Sequence, residues 1–67
     1  MITYKLIKSD GAFCAVLKNG KDSFPFNVKN SDFQEFIEWV KLGNKPVFEN
    51  TEVDSDVVDY ILSFDLN

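Results

Sequence analysis

The stretch FPFNVKNSDFQEFIEWVKLGNKP, residues 24–46, carries the clearest structural signals in this sequence. Ser31 and Gln34 have the spacing of a capping box, in which the serine oxygen accepts a backbone N–H and the glutamine reaches back. The apolar residues that follow recur at helical spacing: Phe33, Phe36, Ile37, Trp39 and Val40. Gly43 can take the left-handed conformation that ends a helix, and Pro46 prevents its continuation. The stretch therefore predicts a helix that begins at Ser31 and ends near Gly43.

Two dipeptides before this helix predict tight hairpin turns: Asp-Gly at 10–11 and Asn-Gly at 19–20. Such pairs favour a type I′ turn, which needs a positive φ at both central residues. If each turn has two residues, the turns set the register of the strands. The resulting register opposes Ile7 with Cys14, and Ala15 with Phe24. The sequence therefore predicts three antiparallel strands in a meander.

This register separates the side chains of the meander onto two faces. One face is nearly all apolar: Ile2, Tyr4, Leu6, Phe13, Ala15, Leu17, Phe24 and Phe26. The other face is mixed: Thr3, Lys5, Ile7, Cys14, Val16, Lys18, Lys21, Ser23 and Pro25. Because Pro25 has no N–H to donate to a neighbouring strand, we expect the third strand at an edge of the sheet.

A second helix is predicted from about residue 54 to residue 64, with Thr51 or Asp54 as its cap. Its main apolar stripe consists of Val53, Val57, Tyr60, Ile61 and Phe64. Three further residues extend the apolar surface past the arc of about 100° that a surface helix needs: Val58, Leu62 and Leu66. The excess indicates either deep packing across the sheet or a contact surface.

Together these elements predict an α+β fold: a three-stranded antiparallel β-meander with two α-helices packed on its apolar face. With 67 residues the chain is long enough for one small domain, which we expect to span residues 1–67. Its aromatic share of 15% compensates for the small size, because each large ring buries much apolar area. The predicted core consists of Tyr4, Leu6, Phe13, Leu17, Phe24, Phe26, Phe33, Phe36, Ile37, Val40, Val57, Ile61 and Phe64.

The charges are unevenly distributed along the sequence. Residues 1–29 contain five Lys and two Asp, whereas residues 30–67 contain two Lys and nine acidic residues. Because the acidic half repels a phosphate backbone, we expect no binding to nucleic acid. There is no long apolar run and no signal-peptide pattern, so we expect neither a membrane span nor secretion by that route. A single cysteine excludes an intrachain disulfide.

Groups that catalyse reactions or bind metals are scarce in this sequence. There is no histidine, the residue most often used as a general base or metal ligand. Cys14 has no second cysteine with which to bind zinc, and a lone cysteine in a strand is more often a packing residue. Asp54, Asp56 and Asp59 lack the spacing of a calcium loop and better fit the acidic start of a helix. We therefore predict a protein that is not an enzyme and that takes no cofactor or metal.

Residues 24–46 resemble a segment of many small tailed-bacteriophage proteins, which also occurs at the ends of some tail-fibre and tail-fibre-assembly proteins. That segment is similar to I-P-F-D-x-x-N-x-D-Y-Q-x-Y-L-x-W-L-x-x-G-N-T-P. The shared residues are Pro25, Phe26, Asn30, Asp32, Gln34, Trp39, Gly43, Asn44 and Pro46. Phe33 and Phe36 stand in place of its two tyrosines, Asn27 in place of its first Asp and Lys45 in place of its Thr. The resemblance covers about a third of the chain. It implies a phage setting, such as a virion or tail-associated part, with no reaction attached.

Two functions fit these observations. The first is a non-enzymatic phage protein-binding module, a small virion or tail-associated component or an assembly factor, whose partner is a phage structural protein. The second is a phage-encoded acidic effector that binds and inhibits a host protein, because a small acidic domain suits a basic, nucleic-acid-handling enzyme. The expected location is the virion or the host cytoplasm.

Two apolar patches with charged surrounds are the predicted partner-binding sites. The first consists of Ile7, Cys14 and Val16 on the outer sheet face, ringed by Lys5, Lys18 and Lys21. The second consists of Val58, Leu62 and Leu66 on the second helix, flanked by Asp59 and Asp65. Because the surrounds have opposite signs, the patches could also bind each other between copies and give a homo-oligomer. The simpler alternative is that these are scattered surface hydrophobes.

Overall fold

Five short strands form one mixed sheet in this protein, and two α-helices complete an α+β fold. The computed structural model describes residues 2–64. The elements are, in chain order, β1 (Tyr4–Ser9), β2 (Ala12–Lys18), β3 (Asp22–Pro25), α1 (Ser31–Lys41), β4 (Val47–Phe48), β5 (Thr51–Glu52) and α2 (Ser55–Leu62). The predicted α+β class is confirmed at this level.

The sheet has more strands than the predicted three-stranded meander. Its order is β3-β2-β1-β4-β5, so a further hairpin, β4–β5, extends the meander beyond β1. β4 runs parallel to β1, with Val47 opposite Lys5, and β5 is antiparallel to β4. The prediction of a three-stranded, purely antiparallel sheet is therefore wrong. The predicted place of Pro25 in an edge strand is confirmed, since β3 ends the sheet.

The β4–β5 hairpin has few features that a sequence pattern reveals. Glu49 and Asn50 both have a positive φ, 52° and 64°, which is the geometry that usually attracts glycine in a type I′ turn. No glycine marks this turn, and each strand has only two residues. Because an isolated hairpin of this size is not stable, the pairing with β1 is what stabilises it.

The pairing of β1 with β2 changes register at a β-bulge. Next to the turn the pairing is as predicted, with Lys8 opposite Phe13. Farther from the turn, Ile7 lies opposite Ala15, which leaves Cys14 as the extra residue of the bulge. Because side chains alternate between faces along a strand, one extra residue exchanges the faces of all later residues of β2. The predicted pair of Ile7 and Cys14 is wrong for this reason.

The turn between β2 and β3 contains a second extra residue. Asn19 and Gly20 have the predicted positive φ, 55° and 71°. The Lys21 N–H donates to the Lys18 carbonyl (3.0 Å), which closes the turn. Lys18 nevertheless lies opposite Asp22 in the ladder, so Lys21 is outside the pairing. The positive φ angles of Asn19 and Gly20 were therefore predicted correctly, but the strand register based on a two-residue turn was wrong.

Together, the two extra residues leave the side chains of β3 on their predicted faces. In β2, the bulge alone exchanges the faces of the residues that follow it. Phe24 is buried as predicted, but its partner is Val16 and not Ala15. Val16 is fully buried, at 0% exposure, whereas the predicted core residue Leu17 is only half-buried. Leu17 lies opposite Lys5 on the other face of the sheet. The predicted Ala15–Phe24 pair and the core assignment of Leu17 are therefore wrong.

Both helices bury their apolar stripes against one face of the sheet. The buried core consists of Tyr4, Leu6, Val16, Phe24, Phe33, Phe36, Ile37, Val40, Val53 and Ile61. Aromatic contacts join the layers, because the Tyr4 ring centre lies 4.9 Å from that of Phe36 and 4.8 Å from that of Trp39. Four other predicted core residues are half-buried at the margin: Phe13, Phe26, Val57 and Phe64. Val16 is a core residue that the predicted register placed on the other face, and Val53, which belongs to the predicted apolar stripe of the second helix, is a core residue that the predicted core did not include.

Helix α1 begins at Ser31 as predicted, but its cap is a different residue. The Asn30 side-chain oxygen accepts the Phe33 N–H (3.1 Å), so Asn30 is the N-cap. The Gln34 Nε2 donates to the carbonyl of Val28 (2.7 Å), which lies in the loop before the helix. The predicted Ser31 capping box is therefore wrong by one residue. Asn and Ser are about equally good caps, so local chemistry alone does not choose between them.

The other helix signals of the sequence have the predicted roles. Gly43 has a φ of 100°, and its N–H donates to the Val40 carbonyl (3.0 Å) just after α1 ends. Asp54 caps α2, with its side-chain oxygen accepting the Val57 N–H (3.1 Å). Helix α2 is shorter than the predicted stretch, since it spans Ser55–Leu62. The assignments of Gly43 and Asp54 are confirmed.

Candidate interaction surfaces

Polar side chains of residues 24–46 make hydrogen bonds inside this segment itself. Asn30 and Gln34 join the loop before α1 to the first turn of the helix. At the other end, the Asn44 Nδ2 donates to the Trp39 carbonyl (2.8 Å). These bonds stabilise a loop–helix–turn unit, so the groups free to bind a partner lie mainly elsewhere.

The sheet face opposite the helices has an apolar surface made of two cross-strand rows. We name this surface the uncovered face. The first row consists of Glu52, Val47, Lys5, Leu17 and Ser23, and the second of Ile7, Ala15 and Pro25. Both rows lie on the face opposite Tyr4 and Leu6, which point into the core.

Only part of the first predicted patch lies on the uncovered face. Ile7 lies on it and is 36% exposed, and Cys14 is exposed at the bulge. Val16 is in the core, so its predicted position on the outer face is wrong. Ala15 and Leu17 occupy that face instead. No local signal distinguishes the two arrangements, because AFCAVLK, residues 12–18, has apolar residues in both phases of the alternation.

The basic surround of this patch is smaller than predicted. Lys18 lies on the covered side of the sheet, with its Nζ 4.0 Å from the Glu35 Oε1 of α1. Lys21 belongs to the β2–β3 turn and not to a strand. In the two rows, Lys5 is the one cation and Glu52 the one anion. The uncovered face is therefore apolar with balanced charges, and it lacks the predicted ring of lysines.

The second predicted patch is not an exposed apolar surface. Val58 and Leu62 are half-buried and pack against the core. Leu66 and Asp65 lie outside the described residues. Asp59 is exposed, as predicted. The proposed contact between two patches of opposite sign therefore has less support, since both patches have lost apolar or charged members.

An aromatic cluster at the margin of the core was not predicted. Tyr60, expected in the apolar stripe of α2, is 44% exposed, and its ring centre lies 6.2 Å from that of Phe13 and 6.5 Å from that of Phe26. The Phe48 ring of β4 is 5.5 Å from Phe13. Lys8 completes the cluster, with its Nζ over the rings of Phe13 and Phe48. Phe13, Phe26 and Tyr60 were assigned to predicted apolar surfaces, but Phe48 joins them through β4, which the sequence patterns did not indicate.

The exposed sides of both helices are acidic. We name this surface the acidic layer. It consists of Asp32, Glu35 and Glu38 from α1, and of Asp54, Asp56 and Asp59 from α2 and its cap. Two lysines lie close to it, Lys18 near Glu35 and Lys41 at 3.2 Å from Glu38. The excess of carboxylates makes this side of the molecule attractive to a cationic surface.

The described residues were compared with two further kinds of site, a metal centre and a membrane span. Within residues 2–64, no group of three or more His, Cys, Asp or Glu side chains is placed to hold a metal ion. In the same part of the chain, no helix has the length and apolar character needed to cross a membrane.

An open depression of about 720 Å³ lies beside Tyr4 and Trp39. Burial raises the pKa of the Tyr4 hydroxyl, and the Lys18 charge partly offsets the effect, so Tyr4 stays neutral at ordinary pH.

Of the predicted site residues, Ile7 and Cys14 are exposed on the sheet, while Val58 and Leu62 are half-buried and Val16 is in the core. Comparisons with known protein families, with curated proteins and with solved structures find no match to this chain. Its function is therefore inferred from its own surfaces and from the resemblance of residues 24–46.

Proposed function

We propose that this protein is a non-enzymatic phage protein that binds a partner protein through the uncovered face, as a small virion or tail-associated component or an assembly factor. The apolar content of that face carries the proposal, because Ile7, Ala15, Leu17 and Val47 are close together on it. The solvent side of a one-sided sheet normally carries polar residues. A contiguous apolar face left open is typical of a protein contact site.

The phage setting is supported by the resemblance of residues 24–46 to segments of tailed-phage proteins. In this fold the segment supplies α1, the helix that buries the opposite face of the sheet. It therefore builds the scaffold on which the uncovered face is presented. Pro25 is the one shared residue that belongs to both.

Quantitative mass spectrometry of purified phage particles tests the virion or assembly role. A structural component is expected at a fixed copy number in the particles. An assembly factor is expected in assembly intermediates and not in finished particles. Absence from both would contradict the proposal.

Capture of partners from infected cells tests the uncovered face itself. Ile7→Glu places a charge among the apolar residues of the two rows, at a position exposed enough for the fold to remain intact. Leu42→Glu is the matched control, because Leu42 is 82% exposed and follows α1 on the helix side of the molecule. We expect Ile7→Glu to lose a phage structural partner that Leu42→Glu retains. Equal capture by both variants would contradict a contact through this face.

The acidic layer favours a second candidate function, a phage-encoded effector that binds and inhibits a basic host protein. A surface of one charge sign accelerates and orients binding of a partner of the opposite sign. This function predicts early expression, absence from particles and capture of a host protein. That capture should be lost at high salt and with Asp56→Lys or Asp59→Lys, and retained with Ile7→Glu.

A further inference from the structure

The turn that joins β2 to β3 contains an asparagine followed by a glycine, and it is open to solvent. Asn19 and Gly20 are both exposed, and a methyl group placed on Gly20 would meet no other atom within 4 Å. The other asparagines of the chain, at positions 27, 30, 44, 50 and 67, do not precede a glycine. Because glycine has no Cβ, its backbone nitrogen is the least hindered. Asn19 is therefore the asparagine whose side-chain amide the next backbone nitrogen attacks most easily.

Two hydrogen bonds hold Asn19 against the residue that precedes β1. The Thr3 N–H donates to the Asn19 Oδ1 (3.0 Å), and the Asn19 N–H donates to the Thr3 carbonyl (2.8 Å). The Gly20 N–H, by contrast, donates to no backbone group within residues 2–64. The side-chain amide of Asn19 is therefore restrained, while the backbone nitrogen next to it is accessible to water.

The closed turn keeps these two groups apart. Asn19 and Gly20 have φ angles of 55° and 71°, as in a type I′ turn, whose first central residue has a ψ of about 30°. At this ψ the Gly20 nitrogen and the Asn19 side chain lie on opposite sides of the Cα–C bond. Bringing them together needs rotation about that bond, which disrupts the Lys21–Lys18 hydrogen bond of the turn (3.0 Å). A reaction between them therefore depends on local opening of the turn.

We propose that Asn19 is a site of spontaneous deamidation, and that its hydrogen bonds with Thr3 limit the rate. Hydroxide removes the Gly20 N–H proton, and the nitrogen then attacks the Asn19 Cγ. The bond from Cγ to the side-chain nitrogen breaks, and this nitrogen takes a proton from water and leaves as ammonia. Water opens the resulting five-membered ring at either carbonyl, which leaves an aspartate or an isoaspartate at position 19. The net reaction consumes one water and releases one ammonia.

The two products have different consequences for the turn. An aspartate keeps a side-chain oxygen that accepts the Thr3 N–H, and aspartate adopts a positive φ about as readily as asparagine. An isoaspartate adds one carbon atom to the backbone, so the two hydrogen bonds with Thr3 can no longer form together. The isoaspartate therefore frees the start of β1 from the end of β2. The site goes beyond the proposed function, because it changes the chain itself and requires no partner.

Peptide mapping by mass spectrometry, after incubation of the whole protein in mildly alkaline buffer, tests the site. Conversion is expected at Asn19, and it should be faster at higher pH because the attacking nitrogen must lose its proton. Asn50 is the internal reference, since it also has a positive φ at a turn but precedes Thr51. It should stay unmodified over the same period. Conversion at Asn19 no faster than at Asn50 would overturn the proposal.

The role of the Thr3 hydrogen bond is tested by Thr3→Pro, which removes the N–H and places proline where a strand begins, a position that tolerates it. Asn19 should then deamidate roughly fivefold faster, the factor that one hydrogen bond contributes to the closed turn. Thr3→Val keeps the N–H and is the matched control, with an unchanged rate. Equal rates in the two variants would overturn this role.

Wild-type protein unfolded in guanidinium provides a second measurement, which does not depend on how well Thr3→Pro folds. Asn19 should deamidate at least roughly fivefold faster in the unfolded chain, since neither hydrogen bond with Thr3 is present there. An equal rate in the folded and unfolded chains would show that the turn does not protect Asn19. These experiments involve no partner, so their failure leaves the proposed function standing.

Discussion

The two faces of the sheet differ in how deeply they bury apolar residues that are adjacent in the chain. On the covered face, Val16 is completely buried between Leu6 and Phe24. On the uncovered face, the adjacent Leu17 is half-buried beside Lys5. Both are apolar, and hydrophobicity alone ranks Leu17 no lower than Val16. The difference shows that pairing across strands decides which of two adjacent apolar residues becomes core.

The largest expected effect comes from a charge placed on each face in turn. Val16→Glu puts a carboxylate without a partner into the core and should destabilise the fold by more than about 3 kcal/mol, a large part of the stability of a small domain. Leu17→Glu introduces the same group on the uncovered face and should cost about 1 kcal/mol. Urea denaturation followed by circular dichroism measures both. A larger loss for Leu17→Glu would contradict the bulge at Cys14.

Removal of a large ring tests the depth of the covered face. Phe36 is fully buried and touches Tyr4 and Phe24, so Phe36→Ala should cost about 3–5 kcal/mol through lost burial and the cavity left behind. Ile7→Ala, on the uncovered face, should cost less than about 1 kcal/mol. Thermal unfolding compares the two variants. An unchanged melting temperature for Phe36→Ala would refute its place in the core.

A smaller effect distinguishes the two residues that can begin the covering helix. Asn30→Ala removes the side-chain oxygen that accepts the Phe33 N–H and should cost about 1 kcal/mol. Ser31→Ala leaves that bond intact and should change stability by less than about 0.5 kcal/mol. Guanidinium unfolding of both variants provides the measurement. If Ser31→Ala were the more damaging, Ser31 would be the cap after all.

The smallest effect concerns one lysine from each face. The Nζ of Lys18, on the covered side, lies 4.0 Å from the Oε1 of the exposed Glu35, so the ion pair is weak. Lys18→Met should cost less than about 0.5 kcal/mol at low salt, and this cost should disappear in about 1 M NaCl because of screening. Lys5→Met removes the cation of the uncovered face and should show no such salt dependence. A loss for Lys18→Met that persists at high salt would indicate packing of its alkyl chain.

Residues 24–46 belong mostly to the covered side of this comparison. The polar residues Asn30, Gln34 and Asn44 hold the loop, helix and turn together. These hydrogen bonds give the segment a structural role. The uncovered face is built largely from residues outside the segment.

The sequence by itself determined the features that depend on residues close together in the chain. The end of α1 near Gly43 and the positive φ at Asn19 and Gly20 each involve groups within about four positions, and the same local chemistry limited the cap of α2 to Thr51 or Asp54. The apolar stripe of α1 has the same local origin. For this reason the α+β class, the bounds of α1 and most of the core were predictable.

Only the tertiary structure decided the register of β2, the presence of β4 and β5, and the make-up of both candidate binding surfaces. Which residues of β2 face the core depends on how well Val16 fills the space between Leu6 and Phe24. The apolar pattern of β2 alone would allow either set of alternate residues to face the core. β4 exists because Val47 pairs with Lys5, about forty positions earlier in the chain. The uncovered face and the acidic layer each unite residues from segments that are distant in the chain.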